Sequence, residues 1–113
     1  MHELSVAMSI VEIALARLKE SGGARVTLVK AVIGELSGAM ADSVIFCYDA
    51  AARGTPAEGS RLEVERTEAE AVCGECSHRF KPLDPLAVCP SCGAFGGRIV
   101  AGEELYVDHI GID

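Results

Sequence analysis

Four of the five cysteines in this 113-residue chain stand as two pairs, Cys73-Gly-Glu-Cys76 and Cys89-Pro-Ser-Cys92, with twelve residues between the pairs. In a CxxC pair both thiolates can bite one edge of a tetrahedron, so the two pairs together suit one borderline-soft ion such as Zn(II). The intervening SHRFKPLDPLAV is turn-rich and holds few apolar groups, so segment 71–100 has too little core to fold unaided, and metal binding would supply the missing folding free energy. A closed four-thiolate site leaves no coordination place open and is structural. Iron in a rubredoxin-like site shares the spacing and is the competing metal. His78, just past the first pair, reads as an exposed turn residue, with exchange into the cysteine site as the alternative.

The other residue placed for metal chemistry is His2, in the opening Met-His-Glu. Ni(II) and Cu(II) favour a square plane of nitrogen donors, and a chain start offers an amine, amides that the ion can deprotonate, and an imidazole. A third-position histidine completes that plane; a second-position one does not. The His2 amide and its Nδ1 close a six-membered ring, which leaves one adjacent place for the Met1 amine or the Glu3 amide. The fourth place falls to another donor: the Glu3 carboxylate, Glu35, Asp42, His109, a second chain or a client protein. Such a site selects a square-planar ion yet can release it, as a carrier must. The plainer reading makes Met-His-Glu a polar lead-in to a helix.

The elements that would position these residues follow from periodicity. Leu4, Met8, Val11, Leu15 and Leu18 recur at spacings of four and three, widened by Val6, Ile10 and Ile13, and predict a helix with that face buried. Ser5 is its candidate N-cap, Met8 core filler, and Ser21-Gly22-Gly23 its end. ARVTLVKAVIGEL, rich in β-branched residues and apolar on both faces, predicts a central strand closed by Gly34. Asp42 is a candidate N-cap for a second helix that turns Val44, Ile45, Tyr48 and Ala52 inward and stops at Gly54 and Pro56. Cys47, inside that helix and without a partner at ligand spacing, reads as a buried small hydrophobe. RLEVERT alternates as a half-exposed strand, and GEELYVDHIGID as a last strand returning to the first sheet.

Composition excludes several functions. Ten Lys and Arg stand against seventeen Asp and Glu, a formal net charge of −7, which repels phosphate backbones and anionic lipid, and no basic stripe is interleaved with aromatics. Neither nucleic acid nor membrane is expected as a partner. Glu3 and Glu12 interrupt the apolar start, no basic stretch precedes it, and no run reaches the ~18 apolar residues of a membrane span, so a cytoplasmic protein is expected. There five cysteines argue for metal rather than disulfides. No acid–base pair or nucleophile constellation suggests an enzyme. A zinc-ribbon binding or adaptor module without nickel function is the rival class.

MHELSVAMSIVE, GELSG, FCYDAA and CGECSHRFKPLDPLAVCPSCG together closely resemble the hydrogenase nickel-incorporation family HypA/HybF, along essentially the whole chain. The resemblance implies a non-enzymatic metallochaperone that brings Ni(II) to the large subunit of [NiFe]-hydrogenase with the nickel-binding GTPase HypB, some members also serving urease. It leaves room for a homodimer. It puts nickel on Met1, His2 and Glu3, and zinc on Cys73, Cys76, Cys89 and Cys92. The expected fold is α+β: a two-layer α/β domain, two helices on a roughly three-stranded mixed sheet, formed by residues 1–70 plus 101–113, with an inserted four-cysteine zinc-ribbon (rubredoxin-like) domain at 71–100. One departure stands out. In some relatives a histidine follows the second CxxC too, whereas here Cys92 precedes Gly93, which leaves only His78 for ligand exchange at zinc.

Overall fold

The structure, a computed structural model, describes residues 2–83 and 87–113. Its elements are α1 (His2–Ser21), β1 (Val26–Gly34), α2 (Ala41–Ala52), β2 (Arg61–Thr67), β3 (Glu70–Val72), β4 (Arg79–Phe80), β5 (Arg98–Ala101) and β6 (Leu105–Ile112). One sheet runs β2-β1-β6, with β2 parallel and β6 antiparallel to β1. The expected central strand is central, and the last strand does return to the first sheet. A second, antiparallel sheet, β4-β3-β5, carries the cysteine pairs. This is the expected α+β architecture.

Helices cover one face of the larger sheet. Val29, Ala31 and Ile33 of β1 pack into the helix-side core with Val107, Leu62 and Val64. The opposite face is mostly polar, with Lys30 set between Glu63 and His109 in the cross-strand register and Val32 between Glu65 and Tyr106. Tyr48 of α2 is buried at the edge of the core, where its hydroxyl lies 2.6 Å from Ser60 Oγ. Ser60 spends its own proton on the Ala57 carbonyl at 2.5 Å, so Tyr48 is the donor of the pair.

Both helices depart from expectation in detail. α1 starts at His2, which puts Ser5 inside the first turn rather than at the N-cap. Its buried stripe is Ala7, Ile10, Val11, Ala14 and Leu18, while Met8 is 51% exposed and Leu4 and Ile13 also face outward. Ala7 and Ala14 take core places beside Ile10, Val11 and Leu18, so the buried face is turned away from the predicted one. Met8 is therefore not core filler. In α2 the N-cap is Met40, without a side-chain cap, because Asp42 lies one residue inside and pairs with Arg66 of β2. Val44, Tyr48 and Ala52 turn inward as expected, but Ile45 does not, and Phe46 is 86% exposed. Cys47 is half-buried against the core.

The two sheets meet where three passages of chain cross. Gly34 N–H donates to the Glu104 carbonyl (2.7 Å), Glu35 N–H to that of Thr67 (2.9 Å) and Leu36 N–H to that of Gly102 (2.6 Å). A Cβ on Gly34 would lie 2.1 Å from the Gly102 carbonyl oxygen, so only glycine permits this crossing. Carboxylates tie it further. Glu35 Oε1 accepts the Ala69 amide (2.8 Å) and the Lys81 ammonium (2.5 Å), and Glu104 Oε1 accepts the Thr67 hydroxyl (2.7 Å) and the Gly102 amide (2.8 Å). Both carboxyls are held below the usual carboxylate range, Glu35 chiefly by Lys81 and Glu104 chiefly by Thr67.

Candidate metal centres

The four paired cysteines sit on two nearly identical turns. In the first, Ser77 N–H donates to the Cys73 carbonyl (3.0 Å) and Cys73 N–H to the His78 carbonyl (2.9 Å). In the second, Gly93 N–H donates to the Cys89 carbonyl (2.8 Å) and Cys89 N–H to the Ala94 carbonyl (2.9 Å). Ser77 and Gly93 both adopt left-handed backbone, at φ 62° and 77°. Each turn thus aims two sulfurs at one point. Backbone amides also face the sulfurs: those of Glu75 and Cys76 lie 3.3 and 3.5 Å from Cys73 Sγ.

The four Sγ atoms lie within 4.8 Å of one another, with Cys73 to Cys92 at 3.6 Å and Cys76 to Cys89 at 3.7 Å. A tetrahedral ion with bonds of about 2.3 Å to sulfur sets its ligands about 3.8 Å apart, so this donor set fits one. Among the described residues these cysteines form the one group of three or more His, Cys, Asp or Glu side chains so placed. The sulfurs are electrostatically unequal. The Cys76 and Glu75 amides draw the Cys73 thiol down from its ordinary 9.0 to about 7. At Cys92 the Ala94 amide pulls the same way, but the Cys73 sulfur and burial outweigh it and push that thiol up to about 12. Four neighbouring thiolates repel, and a cation among them would remove the protons that repulsion retains. His78 stays outside: it is exposed, and its ring stacks on Phe80 at 6.3 Å between centroids.

At the other candidate centre, Met1 lies outside the described residues. His2 opens α1, and its Nε2 is 3.2 Å from Glu3 Oε2. A carboxylate at Nε2 favours the tautomer with the proton there, which leaves the Nδ1 lone pair available to a metal. The amides of His2 and Glu3 lie in the first turn of α1. The helix dipole opposes a bare cation at this end, yet it also eases loss of amide protons. A dication held by the His2 and Glu3 amidates would be neutral, and one held by the His2 amidate and the Met1 amine would keep a single positive charge, so that opposition is reduced in either case.

The other donors considered for nickel are engaged elsewhere. Glu35 is bound at the crossing, Asp42 pairs with Arg66, and His109 Nδ1 lies 2.8 Å from Asp108 Oδ2. What sequence reasoning missed is the position of His2. It shares a groove with Leu105 and Tyr106 of β6, directly after the Glu104 that ties the crossing. No local pattern signals that, because the groove is lined by residues over a hundred positions apart.

Comparison with known proteins bears on the whole chain. The family model described as hydrogenase/urease nickel incorporation, metallochaperone, hypA matches residues 1–112. Hydrogenase maturation factor HypA of Chlorobium limicola is 43% identical over 113 residues, covering 100% of this chain and 97% of its own. That of Geobacter metallireducens is 42% identical, covering 100% of both chains. Among solved structures, the solution structure of the Ni metallochaperone HypA from Helicobacter pylori superposes with a TM-score of 0.68 at 24% identity, over 99% of this chain and 97% of that one, a likeness of fold. Full-length agreement with the family model and with these relatives leaves one conclusion: the chain belongs to the HypA family, the non-catalytic nickel metallochaperones of hydrogenase and urease maturation.

Proposed function

We propose that this metallochaperone binds one Ni(II) at its N-terminus through the Met1 amine or the Glu3 amide together with the His2 amide and Nδ1, and delivers it to the large subunit of [NiFe]-hydrogenase. Residues 1–70 with 101–113 form the nickel-handling unit, and residues 71–100 a ribbon whose Cys73, Cys76, Cys89 and Cys92 hold structural Zn(II). The GTPase HypB is the working partner and the cytoplasm the compartment. Among the described residues no helix is long and apolar enough to cross a membrane. The observation that supports the nickel assignment is the His2–Glu3 contact at 3.2 Å, in which the carboxylate faces Nε2 and leaves Nδ1 to serve as a ligand.

Metal content and absorption spectra of protein with its native start test this reading against His2→Ala and against a form extended at the N-terminus. Loss of the nickel band in both variants, with zinc retained at one per chain, is the expected result. Stoichiometric nickel in His2→Ala would place the site elsewhere. Because amide protons are lost on binding, nickel affinity should also rise with pH.

A further inference from the structure

The ribbon and the larger sheet share no core. Val29, Ile33 and Val107 belong to one apolar cluster and Ala71, Phe80 and Cys89 to another, and no residue is common to both. Strand pairing is likewise closed within each body, β2-β1-β6 in one and β4-β3-β5 in the other. What joins them is two adjacent passages of chain, residues 68–69 going out and 102–104 coming back. The passages abut: a Cβ on Gly102 would lie 2.7 Å from the Ala69 Cα, and Gly102 itself takes φ 107°, backbone that other residues rarely adopt. Such a strap fixes where the ribbon begins but resists its bending weakly, because only a few backbone dihedrals have to change.

The angle of the ribbon therefore needs a further point of attachment. Among the described residues, one side chain of segment 70–101 reaches an ion-pair partner outside it, that of Lys81, just past β4. Its ammonium lies 2.5 Å from Glu35 Oε1 and 3.7 Å from Glu68 Oε1. The neighbouring cation, Arg79, pairs within the ribbon, with Glu70. Glu35 follows directly on β1 and its Oε1 also accepts the Ala69 amide at 2.8 Å, so one carboxylate grips both the outgoing passage and the ribbon. The pair also spans two clefts. One, of about 440 Å³, is lined by Glu35, Met40 and Glu68 among others, and a second, of about 430 Å³, by Glu68, Phe80 and Lys81. Glu68 lines both, so the bond from Lys81 to Glu35 runs from one cleft to the other.

We infer that the Lys81–Glu35 pair is a latch: closed, it sets the angle of the ribbon against the larger sheet, and open, it lets the ribbon swing on residues 68–69 and 102–104 and joins the two clefts into one. No bond inside either body has to break, so the four cysteines move as one unit. Both paired side chains are 47% exposed, which leaves the latch open to screening, and it loosens as ionic strength rises. The latch is independent of where nickel binds.

Backbone residual dipolar couplings of the full-length, zinc-loaded protein in an uncharged aligning medium test it, comparing the parent with Lys81→Met, Lys81→Arg and Arg79→Met. Zinc retained at one per chain and parent-like chemical shifts in β1 show that each variant folds. At low salt the parent's couplings should fit one alignment tensor. In Lys81→Met the ratio of closed to open should fall about two- to fivefold, the range for a half-exposed pair, so that the ribbon takes a smaller tensor of its own. Salt at about 1 M should do the same to the parent without any substitution. Lys81→Arg, which keeps the charge, and Arg79→Met, which removes one beside it, should both keep the single tensor. A ribbon that already needs its own tensor in the parent at low salt, a single tensor kept in Lys81→Met, or equal uncoupling by Arg79→Met would each overturn the latch.

Discussion

Ser77 and Gly93 hold equivalent places in the two cysteine turns, yet only one of them is the residue that left-handed backbone favours. A side chain with a Cβ in that region costs about 1–2 kcal/mol, partly offset by the greater freedom glycine loses on folding. Ser77→Gly should therefore stabilise the metal-loaded protein by about 1 kcal/mol, read as a higher urea midpoint. Tyr48 makes the opposite case. Its place on the inner face of α2 was legible from spacing, but its partner Ser60 was not, since nothing in the sequence relates a helix residue to a hydroxyl twelve positions on. Tyr48→Phe removes the donor and leaves the Ser60 oxygen short of one, at a cost of about 1 kcal/mol in the same assay. The cysteine pairs were fully legible because their spacing is itself the chemistry. Met8 was misread because periodicity marks a stripe without revealing which of its residues the packed helix buries.

At the level of elements, strands were easier to read than the joints between them. β1, β2 and β6 announce themselves through β-branched or alternating residues, whereas the crossing at Gly34, Thr67 and Gly102 depends on Glu35 and Glu104, which look like surface charges in the sequence. The Glu35–Lys81 pair has a definite pH signature. Glu35 is depressed from its ordinary 4.5, so its contribution is complete above that value and is lost as pH falls through the lower folded-state pKa. Lys81 is raised from 10.5, so its share is complete below that value and disappears only as pH climbs past the folded-state pKa. Between those limits the tie persists. Urea midpoints of the parent and Glu35→Gln should differ at pH 7 and converge as pH falls below 4.5; a difference that stays constant to about pH 3 would show that the ionised carboxylate does not carry the effect.

For the whole molecule, shape and charge are both divided. The chain extends 55 × 27 × 15 Å with a radius of gyration of 17.4 Å, against the about 13 Å expected of a compact domain of this length. Segment 71–100 carries Arg79, Lys81 and Arg98 against Glu75 and Asp84, so the acidic excess lies on the rest of the chain. The cores are just as unequal. Among the described residues the smaller sheet encloses only Ala71, Cys73, Phe80, Ala87 and Cys89, two of them candidate ligands, while the helix-side core holds fifteen buried residues. Chelation of zinc should thus abolish amide protection at Cys73 and Cys89 while β1 stays protected in hydrogen exchange. Uniform loss of protection would mean that the larger core depends on the ribbon.

The crossing at Gly34 also fixes where the chain leaves the larger sheet and where it comes back. Thr67 and Gly102, thirty-five positions apart, accept from successive amides of one short segment, those of Glu35 and Leu36. The ribbon is spliced in like a cassette whose two ends abut. With the two ends so close, exchange of residues 71–100 for another small module is expected to cost the Glu35–Lys81 tie but to leave the strands beneath α1 in place.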